Sequence, residues 1–224
     1  VNMIFLKGGS NMSTIQELAD AVEHGKRKVA VPLTQQAIDE GIDPNVILNE
    51  GLIGAMDVVG EKFSRNEIFV PEMLVAARTM GMCTDVLKPY LAEAGSEPLG
   101  KGLIATVAGD MHDIGKNLVR LMLEGKGFEI EDMGVDVPAE KVVEYIQANP
   151  DTKLICLSAL LTTTLPALEN TVKAIQDAGL QEGRLIFIGG APVTQELCDK
   201  IGADYYTEDA GACAAKAAEV IATV

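Results

Sequence analysis

Two hydrophobic periods divide this chain of 224 residues. From Thr14 to about Ala94, apolar residues recur at helical spacing. Ile15, Leu18, Ala19 and Val22 make one stripe, and Ala30 to Ile38 makes a second that Pro32 either starts or perturbs. Asp43-Pro44 marks a third start, with proline in the first helical turn, and Val46, Ile47, Leu52, Ile53, Met56 and Val59 follow. Pro71 opens a fourth segment carrying Met73, Leu74, Ala77, Met80, Val86 and Leu87. Helices of this length and number predict a four-helix bundle over 12–94.

Ala94-Gly95-Ser96-Glu97-Pro98-Leu99-Gly100 interrupts the pattern, and a linker is expected over 95–102. Beyond it the period changes. Short apolar runs at 103–108, 128–133, 154–160, 185–188 and 204–207 read as strands. Amphipathic helices are expected between and after them, at about 116–125, 138–148, 165–178, 193–201 and 210–222. Five β-α units in succession predict an α/β domain over 103–224, a five-stranded parallel, flavodoxin-like (Rossmann-like) sheet covered on both faces. Residues 1–11, with Gly8-Gly9-Ser10 ahead of Met12-Ser13, are expected to be a cloning remnant outside the fold.

Composition narrows the function classes. There are 33 acidic and 18 basic residues, a formal charge of −15, which repels phosphate backbones and argues against a nucleic-acid partner. An apolar fraction of 48% argues for folded cores, and the lack of Trp leaves them to aliphatic side chains. Cys83, Cys156, Cys198 and Cys213 form no C-x-x-C pair, so neither a zinc site nor a disulfide framework is indicated. A reducing cytoplasm is the expected compartment. No apolar run approaches the ~20 residues of a membrane helix.

The candidate chemistry gathers where strands end. Gly109-Asp110-Met111-His112-Asp113-Ile114-Gly115 follows the first apolar run, and His112 is one of two histidines in the chain. A neutral imidazole is a common ligand for a transition metal, and Asp110 is close enough to take the proton of its other ring nitrogen. A capped helix start explains the same spacing. One histidine cannot make a zinc site, so any metal here must bring its remaining ligands with it. Gly189-Gly190 either lets a large ligand approach the backbone or makes an ordinary β-α turn. Ser158, Thr162, Thr163 and Thr164 either bond a polar ligand tail or cap the helix at Leu165-Pro166. In such sheets ligands bind outside the carboxyl ends of the strands, where all of these residues fall.

Asp110-x-His112-x-x-Gly115, Ser158-x-Leu160 and Gly189-Gly190, in this order across five β-α units, resemble the cobalamin-binding proteins of the methionine synthase type. The helical half resembles their cap in Met56-Asp57-Val58-Val59-Gly60-Glu61-Lys62-Phe63 and Phe69-Val70-Pro71-Glu72. The likeness covers nearly all of residues 14–224 and extends most closely to free-standing corrinoid proteins of methyltransferase systems.

The resemblance implies a cobalamin cofactor bound base-off, with His112 as the lower cobalt ligand. Asp110 then holds the imidazole, and Thr164 completes the network where methionine synthase has Ser. Met111, Asp113, Ile114 and Leu160 flank the motifs that contact the cofactor. Ser158, Thr162 and Gly189-Gly190 line a slot for the nucleotide tail, and Gly115 keeps it open. Phe63 and Val70, otherwise bundle core, shield the methyl face from the cap. The implied function is a methyl carrier cycling between Co(I) and methyl-Co(III), with no autonomous catalysis. Its implied partners are a substrate:corrinoid methyltransferase, a corrinoid:acceptor methyltransferase and a reductive activator. The rivals are an adenosylcobalamin mutase subunit, a cobalamin-dependent sensor and a flavodoxin-like signalling or flavin module.

Overall fold

The computed structural model describes residues 8–93 and 98–224. The chain divides into a helical unit and a sheet unit, the second starting at Pro98. Most of the segment set aside as a remnant, and the first part of the expected linker, lie outside the described residues. Helix α1 (Gly8–Glu23) nonetheless includes the last four residues of that remnant. Among the described residues no helix is long and apolar enough to cross a membrane.

In the helical unit α1 is followed by α2 (Arg27–Asp39), α3 (44–64) and α4 (Val70–Glu93). Helix α2 starts before Pro32 and runs through it. The Asp43 carboxylate caps α3 by accepting the Asn45 N–H at 2.8 Å, and Pro44 takes the first turn, where its missing N–H is not needed. Within α3, Ile47–Ile53 winds as a π-helix between the α-helical Pro44–Val46 and Gly54–Ser64. The apolar spacing is compatible with it: Ile47 and Leu52, both fully buried, stand five residues apart, the step of the i→i+5 bonds of a π turn. At the start of α4 the Glu72 carboxylate reaches back to accept the Phe69 N–H at 3.0 Å. Leu18, Val22, Val59, Met73 and Leu87 fill the core.

The sheet unit runs β1 (Lys101–Thr106), α5 (Ile114–Gly125), β2 (Glu129–Asp132), α6 (Ala139–Ala148), β3 (Thr152–Ser158), α7 (Leu165–Asp177), β4 (Leu185–Gly189), α8 (Gln195–Ile201), β5 (Tyr205–Tyr206) and α9 (Ala210–Val220). All strand pairs are parallel, in the order β2-β1-β3-β4-β5. The order reverses between β1 and β3, so the loops leaving these two strands diverge and open a crevice. One face buries Leu103, Ala105, Ile155, Leu157, Ile186 and Ile188 in a core shared with Val142, Leu168, Val172 and Cys198 of α6, α7 and α8. By alternation Ile104, Cys156 and Phe187 are buried toward the other face, where α5 and α9 pack together.

Of the strand ends that differ from the pattern reading, two bear on the site. Strand β1 begins at Lys101, inside the expected linker. At Gly102 a Cβ would lie 2.8 Å from the Leu154 carbonyl oxygen of β3, so the strand itself requires glycine. Strand β3 stops at Ser158 rather than 160. Leu160 therefore leaves the ladder, and its N–H is free for another acceptor.

Candidate functional site

Strands β1, β3 and β4 end level with one another, with Thr106 paired to Ser158 and Ser158 to Gly189. The chain leaves β1 through Gly109, at φ +79°, and turns Asp110 inward to complete burial. Asp110 does not cap α5, whose N-cap position is Asp113, with no side-chain capping bond. Its Oδ1 accepts the His112 N–H at 3.1 Å and lies 2.7 Å from the His112 Nδ1. Its Oδ2 accepts from the Leu160 N–H at 2.7 Å, the Leu161 N–H at 3.3 Å and the Thr164 hydroxyl at 2.9 Å. Thr164 stands at the N-cap position of α7 but makes no capping bond, because its hydroxyl points to Asp110 and to the Leu161 carbonyl oxygen.

Burial by itself pushes the Asp110 carboxyl up. The bonds from the Leu160 N–H, the His112 ring, the His112 N–H and the Thr164 hydroxyl together outweigh it and hold the group well below the usual carboxylate range. An ionised carboxylate only accepts, so Nδ1 carries the ring proton of neutral His112. Nε2 is then left with its lone pair, on a side chain 51% exposed. This is the form in which imidazole binds a metal, with its orientation set from behind. Among the described residues no group of three or more His, Cys, Asp or Glu could hold a metal ion, so a metal at Nε2 would have to bring its remaining ligands with it.

Around the imidazole the loops after β1 and β3 expose an apolar rim. Met111 is 69% and Ile114 is 74% exposed, and Leu160 and Leu161 are also exposed. Apolar side chains left in water together at a sheet edge mark a surface that a ligand or a partner covers. Gly115 and Gly189 would each point a Cβ into open space, so nothing of the protein fills those positions. Gly190 differs. Its φ is +127°, and a Cβ would fall 1.8 Å from the Ala159 carbonyl oxygen, so the protein's own backbone demands this glycine rather than a ligand. Ser158 is half-buried and Thr162 exposed. Asp209 caps α9 by accepting the Ala212 N–H at 2.8 Å.

The structure thus joins Asp110, His112, Leu160 and Thr164 in one network and leaves Met111, Ile114 and Gly189 on its open side. Sequence reasoning missed Leu161, and it missed Asp136, whose Oδ1 accepts the Gly109 N–H at 2.7 Å. It also missed the cleft of about 460 Å³ between α5 and the loop after β2. On that wall the buried Lys116 pairs with Asp132, which Arg120 also meets. Burial pushes the Asp132 carboxyl up, but Lys116, the Gly134 N–H and Arg120 pull it below its ordinary value. In the helical unit Phe63 and Val70 are each half-buried, at the end of α3 and the start of α4, beside Phe69, which is 64% exposed.

A flavodoxin-like sheet with an oriented, open imidazole at its switch point defines a ligand-binding protein. A family model described as B12 binding domain matches residues 100–217, and a second, also described as B12 binding domain, matches residues 14–88. The dimethylamine corrinoid protein 1 of Methanosarcina acetivorans is 41% identical over 215 residues, covering 95% of this chain and all of that protein. Among solved structures, the methanol:cobalamin methyltransferase complex MtaBC of Methanosarcina barkeri aligns with a TM-score of 0.84 and 26% identity, over 100% of this chain and 87% of that one. A cobalamin-binding protein from Desulfitobacterium hafniense aligns with a TM-score of 0.77 and 28% identity, over 92% of this chain and 97% of that one. The chain belongs to the corrinoid proteins of methyltransferase systems, built on B12-binding domains.

Proposed function

We propose that this protein carries a methyl group between two methyltransferases on a base-off cobalamin whose lower ligand is His112. The observation that carries the reading is the exposed, lone-pair-bearing Nε2 of an imidazole held from behind by a buried carboxylate. The residues fit the group: a single protein ligand, an apolar rim, and open positions at Gly115 and Gly189. When bound, the corrinoid supplies the metal that accepts and gives up the methyl group.

The chain's own part is ligation, orientation and proton storage. His112 Nδ1–H donates to Asp110, which fixes the tautomer and directs Nε2 outward. The Thr164 hydroxyl has one hydrogen and two acceptors, Asp110 Oδ2 and the Leu161 carbonyl oxygen, each at 2.9 Å. Asp110 stays ionised, so the hydroxyl donates to it. A proton taken up when His112 gives up its ligand goes to the freed Nε2, and the Asp110 carboxylate behind the ring stabilises the imidazolium. Ser158 and Thr162, with Gly189, receive the nucleotide tail. Met111, Asp113, Ile114 and Leu160 would hold the corrinoid at the sheet edge, and Phe63 and Val70 of the helical unit would shelter it from water. A reductive activator restores the carrier after adventitious oxidation. The name of the 41%-identical relative supports a methylated amine as the first donor to test.

The test is reconstitution with cobalamin and electron paramagnetic resonance of the Co(II) state. Axial nitrogen hyperfine coupling is expected in the wild type and its loss in His112→Ala. Coupling that survives the substitution removes His112 from the metal. Methyl transfer is then assayed with dimethylamine, methanol and a methylthiol, each with its cognate methyltransferase.

A further inference from the structure

Asp136 lies in the loop between β2 and α6 and holds the His112 loop by two bonds. Its Oδ1 accepts the Gly109 N–H at 2.7 Å, and its own N–H donates to the Asp110 carbonyl oxygen at 2.9 Å. The Gly109–Asp110 peptide is thus bracketed from outside the loop. To make both bonds Asp136 adopts φ +52°, one of two non-glycine residues at positive φ among the described residues. Such a conformation persists where the surroundings over-determine it, and such residues cluster at active sites and ligand clamps. The surroundings here do so. The Thr106 N–H donates to the Gly134 carbonyl oxygen, and the Val137 N–H to that of Thr106, both at 3.0 Å, so the loop is tied to the end of β1 on either side of Asp136. Asp136 itself is exposed and fills no core, so packing of its side chain does not account for this backbone conformation.

We propose that Asp136 is a positioning residue for His112: it fixes the peptide of Asp110, and through the Asp110 carboxylate it fixes the imidazole. The Asp110 carboxylate meets donors from two loops at once, Oδ1 facing His112 and Oδ2 facing Leu160, Leu161 and Thr164. A small rotation of its peptide cannot keep both sets. The bond to Nδ1 is the one to weaken, because the other donors are anchored on the far loop. The role at cobalt rests on the reading of His112 as lower ligand; the role at His112 does not.

Two variants separate the contributions. Asp136→Gly keeps the positive φ and the backbone N–H but removes the acceptor, whereas Asp136→Asn keeps an acceptor oxygen and tolerance of that φ. The chain has two histidines, so nitrogen-15 NMR of histidine-labelled protein without cofactor resolves the His112 ring at one fixed pH. In Asp136→Gly the Nε2–H tautomer should gain population, and the Nδ1–H should exchange with water about tenfold faster, the factor expected for losing one hydrogen bond to a carboxylate. Asp136→Asn should restore the wild-type ring. With cobalamin bound, the share of Co(II) showing axial nitrogen coupling should fall in Asp136→Gly and recover in Asp136→Asn. A wild-type tautomer ratio and exchange rate in Asp136→Gly would overturn the proposal, whatever the melting temperature. A shifted tautomer in a protein whose wild type shows no axial nitrogen coupling would leave Asp136 in place and remove His112 from cobalt.

Discussion

Among the described residues, the sheet unit buries charged side chains and the helical unit buries none. The helical unit buries the polar side chains of Thr14, Thr34 and Thr79. Thr34 and Thr79 donate to the carbonyl four residues back in their own helices, and Thr14 donates to the Glu40 carboxylate. The sheet unit buries two charged residues, Asp110 and Lys116, and both find partners on other elements. A hydroxyl that returns to its own turn needs no tertiary structure. A buried carboxylate persists only where several donors from distant segments converge on it. The first device makes a packed bundle; the second makes a site.

The largest expected effect falls at the sheet edge. Gly190→Ala drives a Cβ into the Ala159 carbonyl and strains the backbone, and should cost about 4 kcal/mol or more, if the chain folds at all. Gly189→Ala, one residue away and facing open space, should cost about 1 kcal/mol or less. Urea unfolding followed by tyrosine fluorescence reads the sheet unit, which holds Tyr145, Tyr205 and Tyr206 of the four tyrosines. Equal losses in the two variants would break the distinction between a glycine the protein needs and one it leaves open.

Asp110→Asn comes next. An amide there cannot present acceptors to both sets of donors, so its NH2 must face N–H or O–H groups, and the loss should be about 3 kcal/mol. In the helical unit the matched change, Thr34→Val, removes one local bond and should cost about 1 kcal/mol or less. If the two substitutions cost the same, the contrast between the units fails.

Acid provides a subtler comparison. Asp110 and Asp132 are both held below the ordinary carboxylate value in the folded chain. Across the window beginning near the unfolded value of about 4, the unfolded chain binds more protons than the folded one. Their stabilisation is therefore complete above that window and is lost as pH falls through it. Hydrogen exchange at descending pH, corrected for the intrinsic rate, should show the sheet unit losing protection before the helical unit. The lowered Asp20 of the helical unit pairs with Lys26 at the surface, where solvent screens the gain. Loss of protection in the helical unit first would reverse the assignment.

Much of this was legible in the chain itself. Helical and strand periods marked the elements, because periodicity is a local property of one segment against one core. His112 stood out because few other side chains could do its chemistry, and the motifs around it carried the family. The five-residue step from Ile47 to Leu52 is compatible with the π turn, although it was not read that way. Leu161 was not legible, since a backbone N–H has no sequence signature. Nor was Asp136, whose type is common in turns and whose partners lie on another loop. Gly190 was legible as a glycine but not for its reason, which is the carbonyl of Ala159 on the neighbouring strand's exit.

The sequence by itself determined two units, their elements and one histidine beside one aspartate. That spacing fitted a capped helix start as well as an oriented ligand. The tertiary structure removes the capped start and orients the imidazole. Parallel pairing of β1 with β3 brings Leu160, Leu161 and Thr164 onto Asp110, so the carboxylate turns inward instead of capping α5. Long-range pairing sets which donors meet a buried charge, and no local pattern encodes it. That convergence keeps Asp110 ionised and sets the orientation of the His112 ring.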